Sequence, residues 1–225
     1  MKTPARKEDY LTVSRRKFLL LGLSSAAVLA SMRSTNSRAE DEALAELAAT
    51  ESDIEGPFYR EGAPFTSKLR NVEMKGPPLF VSGTVRATPG GAALKDAIVD
   101  VWHADASGRY DNEGDHDSDK FHLRARIKTD EKGAYSFETI LPAAYKISEK
   151  QSRPRHIHYK VSAKGYRELT TQLYFKGDPH LATDRWAKKS NAMELVKHDS
   201  KEDLAARKLD VAYYTCVFDI VLKRK

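Results

Sequence analysis

The chain has 225 residues, 40% of them apolar and 31% charged, with a formal net charge of +6 and one cysteine. That length suits one domain with one substantial core once a leader is set aside, and a lone cysteine excludes an intramolecular disulfide. The charge argues against a nucleic-acid partner, because residues 1–39 hold eight Lys and Arg against two acids and leave 30 of each sign in the remainder, so no basic excess is left to meet a phosphate backbone.

The first predicted element is a leader. Ser14-Arg15-Arg16-Lys17-Phe18-Leu19-Leu20 is a twin-arginine pattern, followed by an apolar stretch to Ala30 that is too short for a comfortable membrane span. It predicts an export signal over residues 1–39, cut after Ala39 or Ala30, with the twin-arginine machinery as partner and a periplasmic or extracellular destination. That route carries proteins across the membrane already folded. Residues 40–49 then read as one short helix with acids in its first turn.

From there the period changes to two. Leu79-Val81-Gly83-Val85, Ile98 to Trp102, Phe121-Leu123-Ala125-Ile127, Tyr135-Phe137, Ile157-Tyr159-Val161, Leu173-Phe175 and Tyr214 to Leu222 are expected strands. Pro89-Gly90-Gly91, Asp130 to Gly133 and Gly177-Asp178-Pro179 supply turns between them. Many short strands with few helices predict an all-β sandwich over residues 40–225, with long loops and a few short helices. Residues 176–210 are polar and read as loop plus a short helix, and Cys216, inside an apolar run, reads as a buried, inert thiol.

Chemistry concentrates in Arg153-Pro154-Arg155-His156-Ile157-His158-Tyr159. On a strand His156 and His158 share one face while Ile157, Tyr159 and Val161 take the other. Two imidazoles alone are a weak metal signal, and no HExxH or comparable carboxylate pairing completes a zinc or 2-His-1-carboxylate site. Tyrosine is the remaining candidate, as Tyr110 behind Gly108-Arg109 and Tyr145 behind Pro142-Ala143-Ala144, both beside strand ends.

These residues resemble the intradiol ring-cleavage dioxygenases, the family of catechol 1,2-dioxygenase and protocatechuate 3,4-dioxygenase. The resemblance runs from about Glu55 to Phe175 and rests on Glu55-Gly56-Pro57-Phe58-Tyr59, Val101-Trp102 with Gly108 and Tyr110, Gly133 to Tyr145, Arg153-Pro154 with His156-Ile157-His158, and Thr171 to Phe175. It implies that Tyr110, Tyr145, His156 and His158 hold one Fe(III), that two phenolates and a hydroxide balance its charge, and that Tyr145 leaves the metal to take a substrate proton. It further implies Arg153 as a fixed cation beside the substrate, Gln172 as a polar neighbour, an aromatic diol and O2 as reactants, a muconate-type diacid as product, and a homo-oligomer. Lys146 to Ser152 is shorter than in the best-known members, Ala125 stands where glycine is common, and there is no room for the helical N-terminal dimerisation domain of the catechol 1,2-dioxygenase type.

A rival reading is a non-catalytic exported sandwich module of the carboxypeptidase-regulatory type, which suits Ser82 to Val85 and Asp130 to Phe137 but explains neither Tyr110 nor the two histidines. A zinc or copper hydrolase lacks its carboxylate or thiolate. His103, His116, His122, His180 and His198 read as solvated, Asp111 to Asp119 as a flexible acidic loop, and Arg60, Arg70, Arg109 and Arg155 as either carboxylate partners or surface charges.

Overall fold

In a computed structural model of the chain, residues 47–71, 73–113 and 120–225 are described. The predicted leader and residues 40–46 of the predicted helix lie outside them; residues 47–49 of that helix are not helical. The strands are β1 (Pro78–Thr88), β2 (Ile98–Trp102), β3 (Arg124–Lys128), β4 (Ala134–Ile140), β5 (Tyr145–Lys146), β6 (Ser152–Arg153), β7 (His156–Ser162), β8 (Leu169–Phe175), β9 (Ala192–Met193), β10 (Val196–His198), β11 (Tyr213–Val217) and β12 (Ile220–Lys223). One helix, α1 (Lys201–Arg207), is capped by the Ser200 side chain, which accepts from Asp203 N, and ends on Lys208 in the left-handed region.

The strands form the expected all-β sandwich. One sheet joins β10, β11, β1 and β12, with β4 also on β1; the other runs β3-β2-β7-β8-β9, and β5-β6 is a separate ribbon. Alternation decides the core. Leu79, Val81, Val85 and Ala87 of β1 point inward against Val99 and Val101 of β2, Ile157, Tyr159 and Val161 of β7, and Leu173 and Phe175 of β8. Cys216 is buried among them, and burial pushes its thiol up to about 12, as expected of an inert packing residue.

The C-terminal run expected as one strand is two, β11 and β12, both parallel to β1 and in unchanged register. Close approach of the backbones causes the break. A Cβ on Gly83 would stand 2.0 Å from the Phe218 carbonyl oxygen, which instead accepts the Tyr135 hydroxyl at 2.6 Å, while Asp219 takes over the Thr84 amide at 2.7 Å. The predicted third strand starts later than expected, at Arg124, behind a left-handed Leu123. The 176–210 excursion holds β9 and β10 besides its helix.

Residues 47–54 staple the two sheets together. Leu47 O accepts from Thr88 and Thr50 N donates to Val221 O on the first sheet; Asp53 N then donates to Thr170 O, and Glu51 O accepts from Thr171, on the second. The chain continues as residues 55–59 over the outer face of that second sheet.

Candidate metal centre

The register of the second sheet sets this face. Trp102 of β2 and Gln172 of β8 lie directly opposite His158 of β7, and Tyr174 lies opposite His156. Since the odd residues of β7 fill the core, both imidazoles project outward, yet both are buried, at 2% and 1% exposure. The cover comes from residues 51–59, the loop after β2 and the β5-β6 ribbon. Phe58 stacks on Tyr110 with centroids 4.1 Å apart, Tyr59 packs on Trp102, and Trp102 stacks on His158 at 4.7 Å.

Tyr110 reaches the face from a loop locked by Asp105, whose Oδ1 accepts the Ser107 and Arg109 amides and the Ser107 hydroxyl. Gly108, at φ +86°, lets this loop lie against Tyr145: a Cβ there would stand 2.9 Å from Ala144 O and 3.0 Å from Tyr145 Cβ. Asp111, next to Tyr110, makes a buried 2.6 Å ion pair with Arg124 of β3 and a second pair with Arg60. Tyr145 sits in β5, paired directly with Arg153 of β6.

Three of the four predicted ligand atoms form a tight triangle. The Tyr110 hydroxyl is 3.4 Å from His156 Nε2 and 3.1 Å from His158 Nε2, and the two Nε2 atoms are 3.2 Å apart. The Tyr145 ring is 5.8 Å from that of Tyr110 and 5.6 Å from that of His156. His156 Nδ1 lies 2.7 Å from Pro154 O; donating there, it leaves Nε2 a bare lone pair. His158 Nδ1 is buried with no hydrogen-bond partner among the described residues, and the two Nε2 atoms face each other with at most one ring proton between them, an arrangement that a cation would satisfy. Donors about 2.1 Å from one metal at right angles stand about 3.0 Å apart, so the triangle fits a single ion.

The electrostatics fit too. Burial, reinforced by Arg153, lowers His156 to about 3, and burial with His156 holds His158 well below the usual histidine range, so both imidazoles are neutral and able to ligate. Burial raises Tyr110 well above 10 and raises Tyr145 against the pull of Arg153. A trivalent cation is the partner that would reverse this for two phenols. Among the described residues no group of three or more His, Cys, Asp and Glu side chains gathers to hold a metal.

Arg153 is 2% exposed, with Nη2 2.9 Å from both Gln172 Oε1 and the Tyr174 hydroxyl, and Nε 2.7 Å from Asp184 Oδ2. Asp184, Tyr174 and Asp53, which accepts from the Tyr174 hydroxyl, were not expected functional positions. Two expectations are overturned. His103 is not solvated: it is 2% exposed, its ring lies 2.7 Å from both Ala104 O and Thr139 Oγ1, and burial lowers it to about 4. Asp111 belongs to no flexible acidic loop, being 8% exposed and paired; residues 114–119, with His116, lie outside the described residues. His122 is exposed, His180 half-buried, and His198 half-buried against Tyr213. Arg60 and Arg70 pair with Asp111 and Glu138, while Arg109 and Arg155 are exposed.

Two imidazoles and two phenols thus gather on the outer face of one sheet of a β-sandwich, and comparison with known proteins gives the family. The sequence profile described as Dioxygenase (Dioxygenase_C) matches residues 54–224. The chain belongs to the intradiol ring-cleavage dioxygenase family. It is similar to the catechol 1,2-dioxygenase of Acinetobacter baylyi, 34% identical over 83% of this chain and 66% of that one. It is also similar to the chlorocatechol 1,2-dioxygenase of Rhodococcus opacus, 37% identical over 60% of each. Among solved structures, mercury-inhibited catechol 1,2-dioxygenase from Acinetobacter sp. ADP1 superposes with a TM-score of 0.71 at 33% identity, covering 84% of this chain and 68% of that one. The chain thus spans 60–66% of the length of these two curated relatives.

Proposed function

We propose that this protein is an Fe(III)-dependent intradiol dioxygenase that opens a catechol-type ring between its two hydroxyls with O2, giving a muconate-type diacid. The observation that carries the reading is the triangle of buried donor atoms at Tyr110, His156 and His158, with Tyr145 beside it. These four residues would hold the iron. A bound ferric ion would supply Lewis acidity and draw electron density from the catecholate.

The chain's own residues do the rest. Tyr145, beside Tyr110 and the cross-strand partner of Arg153, would as a phenolate be placed to take a substrate hydroxyl proton onto its oxygen. Arg153 offers a fixed cation in a dry site, where it would stabilise negative charge developing on the ring. Gln172 holds the guanidinium, and Phe58 and Trp102 exclude water from the ligand atoms. A non-catalytic module leaves the buried, mutually facing ring nitrogens without a purpose.

The leader supports export by the twin-arginine route to the periplasm or beyond, and the family resemblance supports a homo-oligomer. Oxygen uptake and product mass with catechol under 18O2 test the activity: both labelled atoms should appear in an acyclic diacid, and the iron-loaded protein should absorb visible light by tyrosinate charge transfer. A colourless iron-loaded protein, or one that consumes no O2 with any catechol, overturns the reading.

A further inference from the structure

Asp184 lies in the polar excursion after β8, with its side chain 0% exposed. Its two carboxylate oxygens have separate tasks. Oδ2 accepts Arg153 Nε at 2.7 Å, and Oδ1 accepts the backbone amides of Trp186 at 2.8 Å and Ala187 at 2.9 Å. The second task brings the Trp186 ring to 5.2 Å from the Arg153 guanidinium, shielding it from water. The other edge of the guanidinium meets Gln172 and Tyr174, which are tied in turn to Ile54 O and Asp53.

A buried ion pair contributes little net stability compared with apolar packing of the same volume, so packing alone does not account for this one. What the pair does is fix direction: Nε and Nη2 are committed to Asp184, Gln172 and Tyr174, on a strand whose Arg153 is paired directly with Tyr145. We propose that Asp184 is a positioning residue for ring cleavage, its two oxygens holding Arg153 against Tyr145 and Trp186 over Arg153. This rests on the function proposed above.

An asparagine at 184 has one acceptor oxygen where two sets of donors need one each, so Asp184→Asn must release either the guanidinium or the Trp186 amide. The test is a cycle on the iron-loaded full chain: Asp184→Asn with and without Arg153→Ala, reading kcat and KM for catechol, iron content, and tryptophan emission of the iron-free protein. Asp184→Asn should lower kcat/KM about 100-fold, mostly in kcat, with iron content unchanged and emission red-shifted. In the Arg153→Ala background the same change should cost less than about threefold. Asp184→Glu should recover part of the loss, and it serves in the cycle if the asparagine variant does not fold. Equal losses in both backgrounds, an Asp184→Asn enzyme within about twofold of wild type, or loss of iron with the substitution would each overturn the proposal. A wild type that cleaves no catechol would instead overturn the activity itself, and the inference with it.

Discussion

Single side chains at this site carry opposite demands. Tyr110 and His158 are buried with their donor atoms turned toward each other, so Tyr110→Phe should leave melting near wild type, and in it and in His158→Ala iron content, visible absorption and turnover should fall together by at least about 100-fold. Asp100 shows the reverse logic. Burial raises its carboxyl to about 6, against a hydrogen bond from Tyr59 and the attraction of Arg126, Lys160 and Arg124. The folded state therefore binds this proton more tightly than the unfolded chain, and stability is lost as pH rises from about 4 to 6. Asp100→Asn should match wild type in thermal unfolding at pH 4 and exceed it at pH 7. His156 and His158 share a face as strand alternation predicts, whereas Tyr110 and Tyr145 stood out only as candidates at strand ends until the family resemblance joined them to the histidines. Asp184 was not legible: its contact to Arg153 spans 31 residues through an excursion with no periodicity to report it. His103 misled for a related reason, since a histidine next to a strand end looks solvated until Thr139 from another strand caps it.

Elements act on the site through backbone fit. Gly108 is the hinge of the argument, because its left-handed backbone and its 2.9 Å clearance to Ala144 O both exclude a side chain. Gly108→Ala should cost about 1–2 kcal/mol in denaturant unfolding, and a larger fractional loss of iron affinity, read by chelator competition, because Tyr110 and Tyr145 are pushed apart. Element existence was readable from alternation: β1, β2, β7 and β8 each bury the set of residues their period predicts. The division of the last strand was not, since the apolar pattern continues through Phe218 and only the proximity of Gly83, far away in sequence, breaks the ladder.

For the whole molecule, charge and leader lead to a cellular prediction. Replacing Arg15 and Arg16 by lysine should leave the protein in the cytoplasm, still iron-loaded, as fractionation and immunoblotting would show; unchanged export would remove the twin-arginine assignment. The sandwich followed from composition and period together, whereas the third side of the site, the strap at residues 51–59, had no element signal because it is neither helix nor strand. Its placement comes from partners on the second sheet: Thr170 and Thr171 bond Asp53 and Glu51, Gln172 bonds Ile54 O, and the Tyr174 hydroxyl bonds Asp53.

The strap also couples the site to the sandwich mechanically. Just ahead of it Thr50 bonds Val221 on the first sheet, while Asp53 bonds Thr170 on the second and accepts the Tyr174 hydroxyl that in turn meets Arg153. Sliding of one sheet past the other would therefore tug on the tyrosine that steadies the guanidinium, so shear resistance of the two layers and order at the site go together.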